Sequence, residues 1–333
     1  MRKNTIKLVG ATLVILLATT GCGKVPKLEN GQDAVVTLTG ENISVDTLYS
    51  KMKDKYALSV LLELLDTEIL DQKYPDTDDS KKEIQNQIDL MITQYGKGDE
   101  ATLLQKTYST WGIDNMDDLR AYLTLSYKRN KAIEDYSKSI VTDDEINKFY
   151  KEKIFGDISA KHILISPDVK DGATDAEKKA AEEEALKKAN EIITKLKKGE
   201  DFSELAKSYS SDDSTSSNGG LLADFTHGDM VSEFEDAAKK LEVGKYTTTP
   251  VKTTYGYHII YKVAQKDKPE LETVKDDIIE EIAEDKLNDD STLQITALEE
   301  LRKDYKVNIQ DDKLKSQYES YLKYAKKQAS SNN

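Results

Sequence analysis

The sequence predicts an α+β fold in which a module with a small antiparallel sheet is inserted in a mainly α-helical domain built from both chain ends. Three observations support this prediction. Apolar residues recur at helical spacing up to about residue 156 and again after residue 267. Strand and helix patterns alternate between those points. Two strand-like runs of β-branched and apolar residues, Ala160–Ile165 and Tyr255–Ile260, each enclose one of the chain's three histidines.

The N-terminal segment has the composition of a secretory signal. Arg2, Lys3 and Lys7 precede an uncharged run of apolar and small residues that ends at Cys22. This run is too short for a transmembrane helix, which takes about 20 apolar residues. We therefore predict a lipoprotein-type signal peptide at residues 1–21.

Cys22 is the single cysteine of the chain, so no internal disulfide can form. Thr20-Gly21-Cys22 resembles a bacterial lipobox. The resemblance implies a lipid anchor on Cys22 that holds the protein at the extracytoplasmic face of the cell membrane. The alternative is an ordinary secretory signal that is cleaved nearby and leaves a free cysteine.

Length and charge limit the kinds of partner. The chain has 48 lysines and arginines against 62 aspartates and glutamates, which gives a formal charge of −14. Such a charge repels nucleic-acid phosphates and argues against a polybasic membrane patch. Nucleic acid is therefore not an expected partner. The length of 333 residues predicts about two domains.

The region 22–156 is predicted to be a helical domain that begins with a hairpin. Residues 34–45 alternate around a Gly-Glu-Asn turn, which favours two short paired strands. Asp46 is predicted to cap a long helix. Thr142-Asp-Asp-Glu145 has the pattern of a capping box and begins another, shorter helix. Between these two helices, amphipathic helices are predicted at residues 80–95, 100–111 and 116–139.

Residues 157–266 are predicted to form the α+β module, and residues 267–333 a C-terminal helical region that packs with the N-terminal one. After the first histidine strand, the module has predicted helices at residues 174–198 and 201–209 and predicted strands at 221–225, 246–254 and 257–263. The C-terminal region has predicted helices at residues 270–289, 292–305 and 313–329 and a short predicted strand at 306–309.

The order of elements in the module resembles a parvulin-type peptidyl-prolyl isomerase domain over about residues 159–264. Ala160-Lys-His-Ile-Leu164 is similar to the first strand of that family, and Gly256-Tyr-His-Ile-Ile260 is similar to its closing strand. The resemblance implies that His162 and His258 are catalytic and face each other at the floor of the site. The structural alternative is that both are ordinary core histidines on adjacent strands.

The same resemblance implies further site residues. Counting back from the Gly-Gly turn places Asp213 where the family has a cysteine or an aspartate, with an electrostatic role on the carbonyl side of the twisting amide. Leu222, Met230 and Phe234 are implied to form an apolar cup around the proline ring, and the last two lie one helical turn apart. The alternatives are a solvated turn for Asp213 and ordinary core positions for Met230 and Phe234.

Proline isomerisation needs little proton chemistry. The barrier of ~18–20 kcal/mol arises from the partial double bond of the amide, and a dry apolar cup with suitably placed polar groups lowers it. No metal or cofactor is expected, and three histidines with one cysteine do not suggest a zinc site. His227, beside a glycine in a predicted turn, is expected to be exposed and inert.

The sequence departs from the parvulin pattern at three positions. Leu221 and Ala223 replace an aspartate and a glycine, and Tyr255 stands where a small hydroxyl residue is common. These departures keep an alternative function open, namely a non-catalytic holdase chaperone with a degenerate parvulin module.

As a whole, the chain resembles the PrsA-type foldase lipoproteins, which have the order signal, helical region, parvulin domain and helical region. The resemblance implies a membrane-anchored extracytoplasmic foldase that helps secreted proteins to fold after translocation, by isomerising X–Pro bonds and by chaperone binding. The implied partners are unfolded secreted polypeptides, and the resemblance also allows a homodimer through the helical part. A solute-binding lipoprotein is a third interpretation, but it calls for repeated βαβ units, which the long helical ends do not offer.

Overall fold

The computed structural model describes residues 34–37 and 42–331. The predicted signal peptide and Cys22 lie outside the described residues. The chain divides into two compact units. The helical unit comprises the described residues up to 129 together with residues 299–328, and the sheet unit comprises residues 130–298 with the last described residues. The predicted domain boundaries stay predictions. No helix in the described ranges is long and apolar enough to cross a membrane.

Helices account for most of the described elements. In chain order these are β1 (Ala34–Thr37), β2 (Asn42–Ser44), α1 (Val45–Lys73), α2 (Asp78–Gln94), α3 (Glu100–Trp111), α4 (Met116–Ser139), α5 (Asp143–Glu152), β3 (Ile158–Ile165), α6 (Asp175–Lys197), α7 (Phe202–Tyr209), α8 (Asp213–Ser216), α9 (Ser232–Lys240), β4 (Val251–Thr253), β5 (Gly256–Gln265), α10 (Leu271–Asp289), α11 (Leu293–Asp304) and α12 (Asp312–Ser331).

The helical unit begins with the predicted hairpin, in which β1 and β2 pair antiparallel. The N-cap of α1 is Ser44, whose hydroxyl accepts the Thr47 N–H at 3.1 Å, rather than the predicted Asp46. The capping box predicted at Thr142 is present at the start of α5 in the sheet unit. A core of buried aliphatic side chains joins α2, α3 and α4: Ile84, Ile88, Leu103, Leu119 and Leu123.

A buried ion pair joins helices from the two ends of the chain within the helical unit. Asp66 on α1 is almost fully buried, and its carboxylate oxygens accept from Arg302 Nε and Nη2 on α11, each at 2.8 Å. Arg129 on α4 donates a further hydrogen bond at 2.9 Å. A buried carboxylate requires such partners, because an unpaired one is strongly destabilising. The prediction that both chain ends build the helical frame is therefore confirmed.

The sheet unit contains a three-stranded antiparallel sheet in the order β3–β5–β4. Side chains on successive residues of a strand point to opposite faces, and the buried residues of β5 follow that rule. Tyr257 and Ile259 pack against α6 and α7, whereas Ile260 packs against Phe234 of α9. His258 lies between Tyr257 and Ile259 in sequence, so its side chain points to the α9 face.

Three predicted strands differ from the structure. Residues 221–225 follow the edge of β3 through single bridges at Leu221 and Phe225 instead of a continuous ladder. The strand predicted at 246–254 is reduced to β4 and one bridge at Tyr246, because Pro250 has no N–H to donate. Residues 306–309 form no strand, since Lys306 takes a positive φ of 53° immediately after α11.

Gly220 allows the segment that follows α8 to pack closely against β3. Its carbonyl accepts the His162 N–H at 2.8 Å. Its φ is +79°, and a Cβ at this position would lie 2.1 Å from the His162 carbonyl oxygen. Only glycine fits this contact, which therefore fixes the distance between the loop and the first histidine.

Candidate active site

The structure brings the two predicted histidines together in the interior of the sheet unit. The Nδ1 atoms of His162 and His258 are 3.1 Å apart, and the rings stack with their centroids 5.4 Å apart. Both residues are buried, with 6% and 5% of their surface exposed. The register of the sheet explains the contact: His162 pairs with Ile260 and His258 pairs with Leu164, so the histidines are diagonal neighbours on one face.

A chain of hydrogen bonds runs through the pair. His162 Nε2 lies 2.7 Å from Asp212 Oδ2, and His258 Nε2 lies 2.9 Å from the Thr253 hydroxyl. A carboxylate only accepts, so His162 Nε2 carries a proton. When both rings are neutral, His258 Nδ1 donates to His162 Nδ1 and Thr253 donates to His258 Nε2. Proton positions are assigned from this network. The Thr253 oxygen accepts the Tyr255 N–H at 3.1 Å, which agrees with that direction.

Asp212 is held in its ionised form. Burial raises the pKa of its carboxyl group, but hydrogen bonds from Ser214, Thr215 and His162 outweigh burial and hold that pKa well below its ordinary range. One carboxylate oxygen accepts from the Ser214 hydroxyl at 2.6 Å and from the Ser214 N–H at 3.1 Å. The other oxygen accepts from the Thr215 hydroxyl as well as from His162. Asp212 therefore presents a fixed negative charge beside the histidine pair.

The carboxylate at the site is Asp212 and not the predicted Asp213, so the placement of the predicted residue is corrected by one position. Asp212 is the N-cap of α8, with extended backbone angles that turn its carboxylate toward the helix start and toward His162. Asp213 is the first residue of α8, and its side chain is exposed. An N-cap pattern does not separate the two residues, because Asp213 is followed by Thr215 and Ser216 just as Asp212 is followed by Ser214 and Thr215.

His258 has a strongly lowered pKa. Burial is the main cause and the neighbouring His162 is the second, whereas the charge of Asp212 acts in the opposite direction; the pKa falls to about 4. His258 is therefore neutral at any pH near 7. A neutral ring gives His258 one accepting nitrogen, which the hydrogen bond from the Thr253 hydroxyl to Nε2 requires.

The three predicted cup residues lie at the same face of the sheet as the histidines. Phe234 is buried and presents its ring edge-to-face to His162 and His258, with centroid distances of 5.9 and 5.3 Å. Leu222 and Met230 are partly buried and pack against the cluster that contains Phe234. Leu222 is fixed by its backbone N–H, which donates to the Ala160 carbonyl at 3.0 Å. Their roles in substrate binding stay predictions.

The three departures from the parvulin pattern have exposed side chains. Leu221 and Ala223 lie on the segment beside β3, and Tyr255, which is 62% exposed, lies in the turn between β4 and β5. Among the described non-glycine residues, positive φ occurs at Lys97 and Lys306, so Ala223 does not need the backbone freedom of glycine. The buried hydrogen-bond network is complete with these residues in place.

The prediction that His227 is exposed is wrong. Its side chain is only 15% exposed, and its two ring nitrogens lie 3.3 Å from Glu235 Oε2 and 3.1 Å from Glu281 Oε1. The carboxylates come from residues 8 and 54 positions further along the chain, so local sequence gave no sign of them. Among the described residues, no group of three or more histidine, cysteine, aspartate or glutamate side chains is placed to hold a metal ion.

Comparisons with known proteins agree with this geometry. The sequence pattern of the PPIC-type PPIase domain family matches residues 145–267. A foldase protein PrsA of Geobacillus kaustophilus is 35% identical over 308 residues, covering 92% of this chain and 95% of that protein. The foldase protein PrsA of Bacillus subtilis is 33% identical over 318 residues, covering 96% and 94%. A crystal structure of a peptidylprolyl isomerase (PrsA) from Bacillus cereus is 31% identical with a TM-score of 0.50, covering 87% of this chain and 98% of that one.

The lowered pKa of His258 predicts a stability change with pH. In the unfolded chain this imidazole binds a proton below its ordinary pKa of 6.5, whereas in the folded protein it binds one only near pH 4. Acid therefore stabilises the unfolded state more than the folded state. The contribution of His258 to the free energy of unfolding is complete above pH 6.5 and is lost as the pH falls to 4. The loss amounts to roughly 3 kcal/mol.

Urea unfolding of the wild type and of His258→Gln, followed by the 13C-methyl NMR signal of Met230, measures this contribution. The difference in unfolding free energy between the two proteins should change by that amount between pH 7 and pH 4, with the wild type losing more. A difference that stays constant with pH would show that His258 keeps its ordinary pKa in the folded protein, as it would in a solvated site.

Proposed function

The chain belongs to the PrsA foldase family and is a peptidyl-prolyl cis–trans isomerase, and from this premise we propose that it is a membrane-anchored extracytoplasmic foldase for secreted proteins. Its foldase role implies unfolded proteins as substrates. The proposal adds that these substrates are secreted polypeptides with X–Pro bonds, which the protein meets after their translocation.

The observation that carries the catalytic part is the ionised Asp212, hydrogen-bonded to His162 of a buried histidine pair beneath an apolar cluster. We propose that the proline ring enters the cup of Leu222, Met230 and Phe234, where the amide loses its water. Water stabilises the charge-separated resonance form that gives the amide its double-bond character, so its removal weakens that character.

The charge of Asp212 is proposed to act on the carbonyl side of the same amide. The charge-separated resonance form places negative charge on the carbonyl oxygen. A fixed carboxylate nearby disfavours that form and thereby lowers the barrier to rotation about the C–N bond. Because Ser214 and Thr215 already donate to Asp212, its charge needs little rearrangement when the amide twists.

Chaperone binding is proposed for the helical unit. One face of α1 carries large apolar side chains at helical spacing that are exposed to solvent: Leu48, Tyr49, Met52, Tyr56, Val60 and Leu64. Exposed apolar surface of this extent is typical of an interaction site. Unfolded chains, which expose apolar side chains themselves, are the ligands that such a face would hold. This assignment gives the holdase function to the helical unit and not to a degenerate parvulin module.

The first prediction for this function compares two adjacent carboxylates. Asp212→Asn should slow catalysed cis–trans exchange of a proline tetrapeptide by about tenfold or more, because it removes the fixed charge and sets an amide donor against Ser214 and Thr215. Asp213→Asn removes an equal charge one residue away, but from an exposed position. It should keep the wild-type rate within about twofold.

Two-dimensional exchange NMR on the mature protein measures both rates. Equal losses in the two variants would indicate a general charge effect, and an unaffected Asp212→Asn protein would remove Asp212 from the mechanism. A wild type that leaves the exchange rate unchanged would restore the non-catalytic alternative.

A second prediction separates chaperone binding from catalysis. Replacing Met52, Tyr56 and Leu64 together by serine should weaken suppression of aggregation of an unfolded protein, because it removes apolar contact area from the exposed face of α1. The same variant should keep tetrapeptide exchange, since the site residues lie in the sheet unit. Light scattering and exchange NMR give the two readouts. Unchanged suppression of aggregation would exclude this face as the binding surface.

A third prediction concerns membrane attachment. If Cys22 carries the lipid anchor, the protein from membranes should begin at Cys22 with the mass of added acyl chains, and Cys22→Ala should be released from the membrane fraction. Two or more acyl chains are needed for stable anchoring. Mass spectrometry of the N-terminal peptide decides the question, and a mature N-terminus at another residue would favour the ordinary secretory signal. Sedimentation of the same mature protein tests whether it forms the homodimer that the family resemblance allows.

A further inference from the structure

A second buried polar cluster lies in the sheet unit, next to the cup. Glu235 on α9 is a glutamate with only 5% of its side chain exposed. One of its oxygens accepts the backbone N–H of Met230 at 3.1 Å, and the other lies 3.3 Å from His227 Nδ1. The second ring nitrogen of His227 lies 3.1 Å from Glu281 on α10. Phe149 of α5 contacts the His227 ring edge-to-face at 5.4 Å.

Glu235 connects this polar cluster to the cup formed by Leu222, Met230 and Phe234. Glu235 follows Phe234 directly in α9, and its carboxylate binds the main chain of Met230. A single carboxylate therefore fixes two of the three cup residues relative to each other. A carboxylate this deeply buried is stable only with hydrogen-bond donors, and the contacts described here supply two, the Met230 N–H and His227.

His227 also connects the loop before α9 to the neighbouring helix. Each ring nitrogen of His227 lies within hydrogen-bond distance of one carboxylate oxygen, Nδ1 of Glu235 and Nε2 of Glu281. Glu281 is about half exposed, whereas Glu235 is buried, so the ring forms a bridge from the inner carboxylate to the surface of α10. The loop that carries Met230 and His227 is thereby attached to Glu281 of α10.

We propose that His227 is a positioning residue for the proline-binding cup, which it serves by holding Glu235 in the orientation that fixes Met230 beside Phe234. His227 makes no contact with the His162–His258 pair in this arrangement; it acts through Glu235. The inference rests on the isomerase activity for its kinetic consequence. Its structural consequence is the position of the Met230 side chain, which is measurable without any activity.

The experiment uses the mature protein with 13C-methyl methionine, because the whole sequence has only five methionines and Met230 reports on the cup directly. His227→Ala should shift and broaden the Met230 methyl signal. It should raise KM for a proline tetrapeptide by about fivefold, since roughly one hydrogen bond of positioning is lost, and leave kcat within about twofold.

Glu281→Ala and Glu284→Ala form a matched pair of exposed glutamates on α10. Glu281→Ala should move the Met230 signal and KM in the same direction as His227→Ala, and Glu284→Ala should change neither. The double variant of His227 and Glu281 should be no worse than His227→Ala alone, because Glu281 acts through the ring.

The proposal is overturned if the Met230 signal is unchanged in folded His227→Ala, if Glu281→Ala and Glu284→Ala behave alike, or if kcat falls while KM stays constant. Should the wild type lack exchange activity, the proposed catalytic function fails by itself. The Met230 signal would then still decide whether His227 positions the cup.

Discussion

The contact between the two histidine Nδ1 atoms is the constraint on which the site depends. Two identical atoms 3.1 Å apart form a hydrogen bond only if one is protonated and the other is not. At the two ends of this hydrogen-bond network, Asp212 accepts from His162 Nε2, and the Thr253 hydroxyl contacts His258 Nε2. Burial keeps His258 neutral. Asp212 therefore supplies a fixed negative charge at the side of the cup, while His258 in its floor is neutral.

The geometry of this floor is maintained by backbone contacts to a single strand. The loop that carries Asp212 is attached to β3 before and after the carboxylate, through the Ser211 N–H to Leu164 and through the Gly220 carbonyl to His162. The Gly220 N–H in turn donates to the Thr215 carbonyl at 2.9 Å. His162 lies on β3 and the loop that carries Asp212 is bonded to the same strand, which keeps the two residues in contact at 2.7 Å. A side chain at Gly220 would force the loop away from β3 and would separate them.

The sequence predicted those parts of the site that follow from periodicity. Alternation along β3 and β5 places both histidines on one face. The helical spacing predicted for Met230 and Phe234 is not what brings them together, because α9 begins at Ser232 and Met230 lies in the loop before it. The sequence did not separate Asp212 from Asp213, because counting along a loop cannot show which of two adjacent side chains turns inward at a helix N-cap. It also missed the environment of His227, whose partners are brought to it by tertiary packing alone. The missing strand at 306–309 is a similar case, since the positive φ of Lys306 is a property of the folded chain.

The hydrogen-bond partners of the buried polar groups show whether the departures from the parvulin pattern at Leu221, Ala223 and Tyr255 disturb the site. In the parts of the chain that the structure describes, the one buried side-chain polar atom without a partner is Gln317 Oε1 on α12, in the helical unit. An aspartate in place of Leu221 would add an acceptor at an exposed position, and a glycine in place of Ala223 would add freedom that the backbone does not use there. Neither change would complete a hydrogen bond in the network, because Asp212, His162, His258 and Thr253 already have their partners. The fixed charge of Asp212, the buried histidine pair and the apolar cup, on which the proposed mechanism depends, are all present with Leu221, Ala223 and Tyr255 in place.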